Sequence, residues 1–443
     1  MKTAIAAGAV SFCVAFPLVA QELPAKPTAP KDETAPALIP KPEAPAGYVS
    51  RAEYDALLQR VLELEKRLGT SDTKTTAREK EVDESLDELE KKNNEARQLA
   101  AMSKPGTTNF LLTGYGFAGF EDRPGESGKF IAGLSPILMW KLNDRLFFES
   151  ELEIGLNANG TEVNLEYANL SYLLNDYVTV KAGKFLTPFG TFADRYHAAW
   201  INKLPDQPLA VGEDGIAPFT QTGVQISGGF PLGRMKLNYA LYAANGPRLI
   251  TDTTVPADIG RLAFDNFTDT GSRAYGGRIG ILPMPGFECG YSFQAISGPT
   301  HARLHAVDLS YMREFDAIKG TLDVRGQWAW SDAGRFSFVP ESGGDAITFD
   351  NRRNGGYVQL AYRPTKAKSE RLRNVELVGR WDRLNQPPGL SLADDEERWT
   401  VGLNYWLGPS TVLKLGYEFI HRSGGESGDI HGNALLIQAA MGF

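Results

Sequence analysis

Cysteine is almost missing from this 443-residue chain, which has only Cys13 and Cys289. Cys13 lies in an apolar N-terminal stretch that we expect to be removed, so the sequence excludes an internal disulfide and a cysteine-based metal site. Histidine is also scarce, with five copies, and no G-x-S-x-G nucleophile motif occurs. We therefore expect no catalytic residues, no metal and no cofactor.

Long hydrophobic runs are missing as well. After the first twenty residues no run of about 18 apolar residues occurs, which excludes a transmembrane helix in the mature chain. The same observation does not exclude a membrane barrel, because barrel strands alternate lipid-facing and lumen-facing residues and give a weak hydropathy signal. The net charge of −8 argues against nucleic acid as a partner, since such a protein needs a basic footprint.

The first two segments predict export to the cell envelope. Residues 1–20 have the pattern of a secretory signal peptide, with Lys2 as the positive charge, an apolar run over 4–19 and the small residue Ala20 before the expected cleavage site. Residues 21–47 are rich in Pro, Ala, Lys and Glu without an apolar period, which predicts a disordered linker.

Residues 48–104 change to a helical period and predict a coiled coil. Apolar residues repeat every three or four positions in two seams, which run through Tyr54, Leu57, Val61, Leu64 and Leu68, and then through Val82, Leu86 and Leu89. The seams are out of phase, which indicates a break near Gly69. A solvated helix packed on the rest of the chain remains the alternative, because few seam residues are large.

From Asn109 to Phe443 the helical period gives way to about sixteen short segments rich in Gly, aromatic and β-branched residues. Several alternate apolar and polar residues, as in 145–154 and 321–330. The connections alternate between short turns, such as 142–145 and 407–410, and longer loops, with short exceptions near 156–161 and 297–300. This pattern predicts an all-β transmembrane barrel of about 16 antiparallel strands.

Ionised residues stand in the middle of many strands, where a dry core would tolerate them only if they were paired. Strand parity puts the following cations toward the lumen: Lys181, Lys236, Arg278, Arg325, Arg380 and Lys414. The same parity puts these carboxylates there: Glu149, Glu151, Glu153, Glu166, Glu288, Asp308, Asp323, Glu376, Asp382 and Glu418. A bulge of one residue would reverse an assignment within its strand.

The segment 178–202, "VTVKAGKFLTPFGTFADRYHAAWIN", resembles the phosphate-selective porin O/P family of bacterial outer-membrane porins. The resemblance covers roughly 109–443 and is carried by a strand that ends in Gly183, Lys184, Phe185, Pro188, Phe189 and Gly190. The final strand, with Leu435, Ile437, Ala439, Met441 and Phe443 on one face, resembles the signal that the barrel-assembly machinery recognises.

The resemblance implies an outer-membrane location in a Gram-negative-type bacterium, contact with membrane lipid and a homotrimer. It also implies that loop 188–219, between strands five and six, folds inward and narrows the channel. Lys184, Arg195 and Lys203 would then lie at the constriction. A loop that caps the barrel from outside remains the alternative, although Phe189 and Trp200 favour a packed loop.

We expect a porin that gives passive diffusion of small hydrophilic solutes or ions. A phosphate channel would need a dominant arginine ladder. The inward charges are instead mixed and slightly acidic, so they do not decide whether anions such as phosphate pass. One alternative is an outer-membrane anchor whose coiled coil over 48–104 acts as a tether in the periplasm. A barrel enzyme is less favoured, because it needs a nucleophile beside a base.

Overall fold

The computed structural model describes residues 55–56, 58–64, 109–157, 160–213, 215–250, 258–264, 269–339, 345–390, 393–425 and 428–443. The chain forms two compact units, one spanning Val14–Lys104 and one that contains Pro105–Phe443. The predicted signal peptide, the linker and most of the coiled coil lie outside the described residues. Residues 55–56 and 58–64 are helical, while the pairing of such helices in a coiled coil stays a prediction.

The larger unit is a closed antiparallel barrel, as predicted. Sixteen strands form its wall, in chain order β1 Phe110–Asp122, β2 Lys129–Lys141, β3 Leu146–Asn157, β4 Gly160–Asn175, β5 Val178–Leu186, β6 Thr220–Leu232, β7 Met235–Asn245, β10 Arg273–Met284, β11 Phe287–Ser297, β12 Ala302–Phe315, β13 Gly320–Phe338, β14 Ile347–Arg363, β15 Val375–Asn385, β16 Asp395–Trp406, β17 Thr411–Ser423 and β18 Ile430–Gly442. Among the described residues, no helix is long and apolar enough to cross a membrane.

The barrel closes where β1 pairs with β18. Phe117 stands opposite Ala440 in this register, and beyond it Gly114 and Phe443 exchange two backbone hydrogen bonds of 3.1 and 2.9 Å. Closure leaves no unpaired edge strand, which is the condition for a sheet in a bilayer.

Side chains alternate between the two faces of the wall with period two. In β17, Leu413, Leu415 and Tyr417 point outward, whereas Val412 and Lys414 are buried on the inner face. The pairing of β3 with β4 shifts at Glu151/Leu152, so β4 contains a bulge that brings two successive residues, Glu166 and Tyr167, to the inner face.

The connections differ between the two ends of the barrel, as predicted. One end carries short turns, for instance between β6 and β7, and includes a helical turn at Glu370–Arg373. The other end carries the longer loops, and the connection after β7 holds a two-stranded ribbon that the sequence did not reveal, made of β8 Arg248–Leu249 and β9 Leu262–Ala263.

The longer loops pack on one another near the barrel mouth. A small apolar cluster joins Ile259 and Leu390, from two connections, to Phe338 and Phe349 near the adjoining ends of β13 and β14. The Arg353 guanidinium binds the Gln386 side chain and the Ile259 carbonyl within the same region. The described parts of these loops therefore contact one another at this end of the barrel.

Candidate functional site

The connection between β5 and β6, residues 187–219, is packed among inward-facing side chains of the barrel. Its base is closed by the Thr187 amide, which donates to the Phe219 carbonyl over 2.8 Å. Phe189, Phe192 and Ile216 are buried in an apolar cluster with residues of β10–β14. A loop that hydrogen-bonds and packs in this way has a fixed position, in contrast to an ordinary surface connection.

The first anchor of the loop is the turn at Gly190, which has a φ of +75°. The Gly190 amide donates to Ser292 Oγ at 2.9 Å. The Thr191 and Phe192 amides both donate to Gln327 Oε1, at 3.0 and 3.1 Å, and Gln327 Nε2 donates back to the Phe189 carbonyl. A Cβ at Gly190 would lie 2.1 Å from the Gln327 side chain, so this position requires glycine for both backbone angle and space.

A five-residue π-helical turn, Phe192–Tyr196, follows the anchor. Arg195 Nη1 lies 2.7 Å from Glu288 Oε2 on β11. Glu288 in turn binds Arg278 at 2.8 Å, and Arg278 binds Asp308 at 2.6 Å. The turn is thus tied to β10–β12 by an alternating chain of guanidiniums and carboxylates.

The second anchor is Asp206, which sits between two guanidiniums of the wall. Its carboxylate lies 2.8 Å from Arg380 and 2.6 Å from Arg398, and Asp382 binds both arginines at 2.9 Å. Burial alone raises the pKa of Asp206, but the two opposing charges outweigh that effect and hold the pKa below its ordinary value. The carboxylate therefore stays ionised, and the anchor intact, as the pH falls through the range that protonates an ordinary aspartate.

Between the anchors, further groups bind the loop to β15–β18. Lys203 Nζ lies 2.6 Å from Glu376 Oε1. The buried ammonium of Lys414 donates to the Ala199 carbonyl and, at 2.9 Å, to Gln438. Charge-assisted bonds of this kind are stronger than neutral ones and fix the position of both partners.

The contacts described above lead from the loop to β10–β18, and Ala198 and Ala199 of the loop also pack in an apolar cluster with Tyr115 and Phe117 of β1. The inward side chains of β3, β4 and β7 take no part in them. The polar anchors of the loop therefore bind one side of the wall.

The six cations that strand parity put toward the lumen all occupy inward rows, whereas Lys184, which the resemblance put at the constriction, does not. Inward positions are held by Lys181, Lys236, Arg278, Arg325, Arg380 and Lys414. Lys184 differs, because it is in register with Ala168 and Thr222 on the outward row and donates to the Leu165 carbonyl. The loop cations Arg195 and Lys203 bind Glu288 and Glu376, as described above.

The predicted acidic residues of β3 are also in an inward row. Glu151 and Glu153 are buried, and Glu149 is half-buried beside them. Glu151 accepts a hydrogen bond of 2.8 Å from the Tyr115 hydroxyl on β1. None of the loop contacts described above involves these carboxylates.

Sequence reasoning missed several groups that hold the loop. Arg398 alternates with Trp399 and Val401 in β16, so parity alone could have placed it inward. Ser292 and Gln327 carry no comparable signal, since an uncharged polar residue on an inner face is ordinary. Among the described residues, no cluster of three or more His, Cys, Asp and Glu side chains could hold a metal ion.

The histidines do not form a catalytic arrangement in the described structure. His197 is buried in the loop against Phe219, with ring centroids 5.0 Å apart, and burial lowers its pKa well below the ordinary value. His421 and His431 stack on each other across β17 and β18. His305 contacts the Tyr291 hydroxyl at 2.6 Å on the barrel wall.

Three solved structures share similarity with this chain over the barrel, each covering 75% of it. OmpT, a trimeric outer-membrane protein of Vibrio cholerae, has a TM-score of 0.45, 10% identity and 99% of its own chain covered. The outer-membrane channel DcaP of Acinetobacter baumannii gives 0.47, 12% and 97%. An anion-selective porin from Comamonas acidovorans gives 0.45, 13% and 99%.

No protein-family model matches the chain, and no curated protein does. At this level of similarity, what the chain does has to be inferred from its own side chains.

The Gly190 anchor predicts that Gly190→Ala destabilises the loop, because the new methyl group overlaps the Gln327 side chain. We expect a cost of about 1–3 kcal/mol beyond the cost of the positive φ itself. Gly125→Ala is the matched control, since Gly125 has a similar φ of +80° but open space around it. Amide hydrogen exchange over 187–196 should become faster in G190A only; equal exchange in both variants would contradict the anchor.

The second anchor predicts that Asp206→Asn releases the C-terminal part of the loop. Removing the carboxylate leaves Arg380 and Arg398 to share Asp382, and breaking a buried ion pair costs about 3–5 kcal/mol. Hydrogen exchange over 198–212 should accelerate strongly. Asp194→Asn is the control in the same loop, because its carboxylate is 32% exposed and 3.6 Å from Arg195, a pair worth about 0–1 kcal/mol. Unchanged protection in D206N would show that the ion pairs do not hold the loop.

Proposed function

We propose that this protein is an outer-membrane porin that gives passive diffusion of small hydrophilic solutes and ions, with loop 188–219 as the constriction. The observation that carries the proposal is the loop's one-sided docking. A closed barrel whose inner face is polar has the wall of a channel, and a loop bound to half of that wall narrows it without filling it. Width and lining charge at such a point decide what passes.

The outer face supports a membrane location. Its outward rows are apolar and exposed in the single chain, as at Leu403, Leu415 and Ile437. Toward the long-loop end, tryptophans form a band in which Trp328 and Trp381 stack at 5.8 Å and Trp381 contacts Trp399. Toward the short-turn end, Phe287–Tyr311 and Phe230–Tyr239 form similar contacts. Aromatic bands of this kind flank the lipid-facing zone of membrane barrels.

The cation placement bears on the phosphate passage that the family resemblance implies. Arg278, Arg325 and Arg380 each bind a wall carboxylate at 2.6–2.9 Å. A guanidinium committed to a carboxylate has fewer N–H groups to replace the hydration shell of phosphate. We therefore propose general diffusion rather than a phosphate-specific path.

Assembly is part of the proposal. A homotrimer in contact with outer-membrane lipid fits the apolar outer face. The coiled coil over 48–104 would hold the protomers together or act as a periplasmic spacer. In the tether hypothesis the spacer role is the function of the protein, without a channel. Phe443 would serve as the signal for the barrel-assembly machinery.

Planar-bilayer recording of the purified protein tests the channel. We expect discrete conductance steps in KCl, because the path along β3–β7 is lined by polar groups. Heat-denatured protein in the same detergent is the control and should give none. A folded protein without steps would exclude the porin and leave the tether.

The proposed role of Phe443 in assembly predicts that Phe443→Ala lowers the amount of folded protein in the outer membrane by more than the loss of apolar area would explain. Phe443 and Met441 lie on the same outward row and are 52% and 48% exposed, so truncating either removes apolar area of a similar order. If Phe443 is the assembly signal, the amount of folded protein in the outer membrane should fall several-fold in F443A and little in M441A. Quantitative immunoblotting of membrane fractions measures this, and equal levels of the two variants would count against a signal at Phe443.

A further inference from the structure

We propose that the short-turn end of β12–β15 binds the phosphate group of anionic phospholipids, through Arg313, Lys319, Lys368 and Arg371. This surface is formed by the last residues of β12 and by the connections 316–319 and 364–374, and we call it the basic platform. The inference rests on the proposed membrane location of the barrel, and it names the class of lipid that this part of the barrel end would hold.

The basic platform concentrates positive charge in a chain whose net charge is −8. Its two connections contain five Lys and Arg residues and two Asp and Glu residues, whereas the other five short turns together contain two of each. The excess of cations is therefore confined to one sector of the short-turn end. Clusters of this kind attract anionic lipid headgroups over about one Debye length.

Backbone carbonyls hold the basic platform together. The Lys366 amide of the longer connection donates to the Lys319 carbonyl of the shorter one over 3.0 Å. Within the longer connection, Arg363 Nε donates to the Arg373 carbonyl over 2.6 Å. The platform therefore presents its cations from a defined backbone, which reduces the entropy lost when a ligand binds.

Three cations of the basic platform have no partner in the protein. The carboxylates of Glu314 and Asp316 are both bound by Lys366, the first at 2.8 Å. Lys319, Lys368 and Arg371 are exposed, and none of their side chains makes an ion pair or a hydrogen bond among the described residues. Their N–H groups are therefore free to bind an anion from outside.

Arg313 brings a further cation onto the lipid-facing wall. It is exposed on the outward row of β12, between Tyr311 and Phe315, and its guanidinium lies 5.7 Å from the centre of the Phe315 ring. The Tyr311 and Phe315 rings contact each other at 6.3 Å. Aromatic residues in such a band lie at the headgroup level of a bilayer, where a guanidinium meets phosphate oxygens that suit its paired N–H groups.

Exposed apolar residues on the basic platform favour phospholipid over a soluble anion as the occupant. Ile318 and Leu372 are 44% and 55% exposed, and they are the chain neighbours of Lys319 and Arg371. Exposure of such side chains to water is unfavourable. At a bilayer boundary they would pack against acyl chains while the neighbouring cations reach the headgroups.

Native mass spectrometry of the detergent-purified full chain tests this inference, with phosphatidylglycerol or the zwitterionic phosphatidylethanolamine added at equal concentration. We expect tighter binding of phosphatidylglycerol. Arg313→Gln and the double variant Lys368→Gln/Arg371→Gln should weaken that binding by about fivefold per cation removed, the effect of one cation near an anionic lipid surface. Equal affinity of the unmodified chain for the two lipids would overturn the site.

The matched control is Arg145→Gln/Arg234→Gln, which removes two exposed cations from the β2–β3 and β6–β7 turns of the same barrel end. This variant should bind phosphatidylglycerol like the unmodified chain. A loss equal to that of Lys368→Gln/Arg371→Gln would indicate a diffuse effect of charge and would overturn the platform as a site. Heat-modifiable migration on gels shows that each variant has folded.

Inorganic phosphate in large molar excess distinguishes a lipid site from a site for any anion. It should displace little phosphatidylglycerol, because it lacks acyl chains, and complete displacement would overturn lipid as the occupant. Planar-bilayer recording of the same preparation separates this inference from the proposed function. Lipid preference without conductance steps would retain the platform and exclude the porin, whereas steps without lipid preference would retain the porin and exclude the platform.

Discussion

The structure depends on one constraint: every strand must pair on both sides, and the pairing forces side chains to alternate between two environments. An unpaired peptide group facing hydrocarbon costs several kcal/mol, so a spanning sheet has to close. Closure of β1 on β18 meets this demand and fixes the register of the wall. Once the register is fixed, each residue has one face, and the apolar residues of β17 and β18 go outward while Lys414 and Gln438 go inward.

Burying unpaired charges on the inner face would be costly. On one side of the wall, the docked loop supplies groups of opposite charge that pair with them. Asp206 lies between Arg380 and Arg398, and Arg195 and Lys203 bind wall carboxylates. Buried ion pairs add little net stability relative to apolar contacts, but breaking one is expensive, so they favour a single loop position. On β3 and β4, by contrast, Glu151 Oε2 and Glu166 Oε1 have no hydrogen-bond partner among the described residues.

The barrel could be predicted from the sequence because period-two alternation and loop length are local signals. They identify about sixteen strands and the order of short and long connections, which the structure has. The ribbon of β8 and β9 could not be predicted, because a strand of two residues is too short to show alternation. Lys184 stands three residues after the inward Lys181, so the alternation of β5 itself puts it on the outward row.

The partners of the loop could not be predicted, because they are far apart in the chain. Asp206 and Arg380 are separated by 174 residues, and Gly190 and Ser292 by 102. The sequence shows a turn of Pro188 and Gly190 and charges of both signs in the loop, which is enough to expect packing inside the barrel. Which half of the wall receives it depends on how the closed sheet places β11–β18, and no local pattern contains that information.

The central claim is that solutes pass along β3–β7 and not along the opposite wall. Single cysteines in a Cys289→Ser background test it most directly, with a charged, water-soluble thiol reagent added to an open channel in a bilayer. Thr179 is an inward, half-buried residue of β5, and Thr400 is an inward, buried residue of β16. The account predicts that the reagent reduces the current through Thr179→Cys and leaves Thr400→Cys unaffected. Block at Thr400→Cys alone would contradict it.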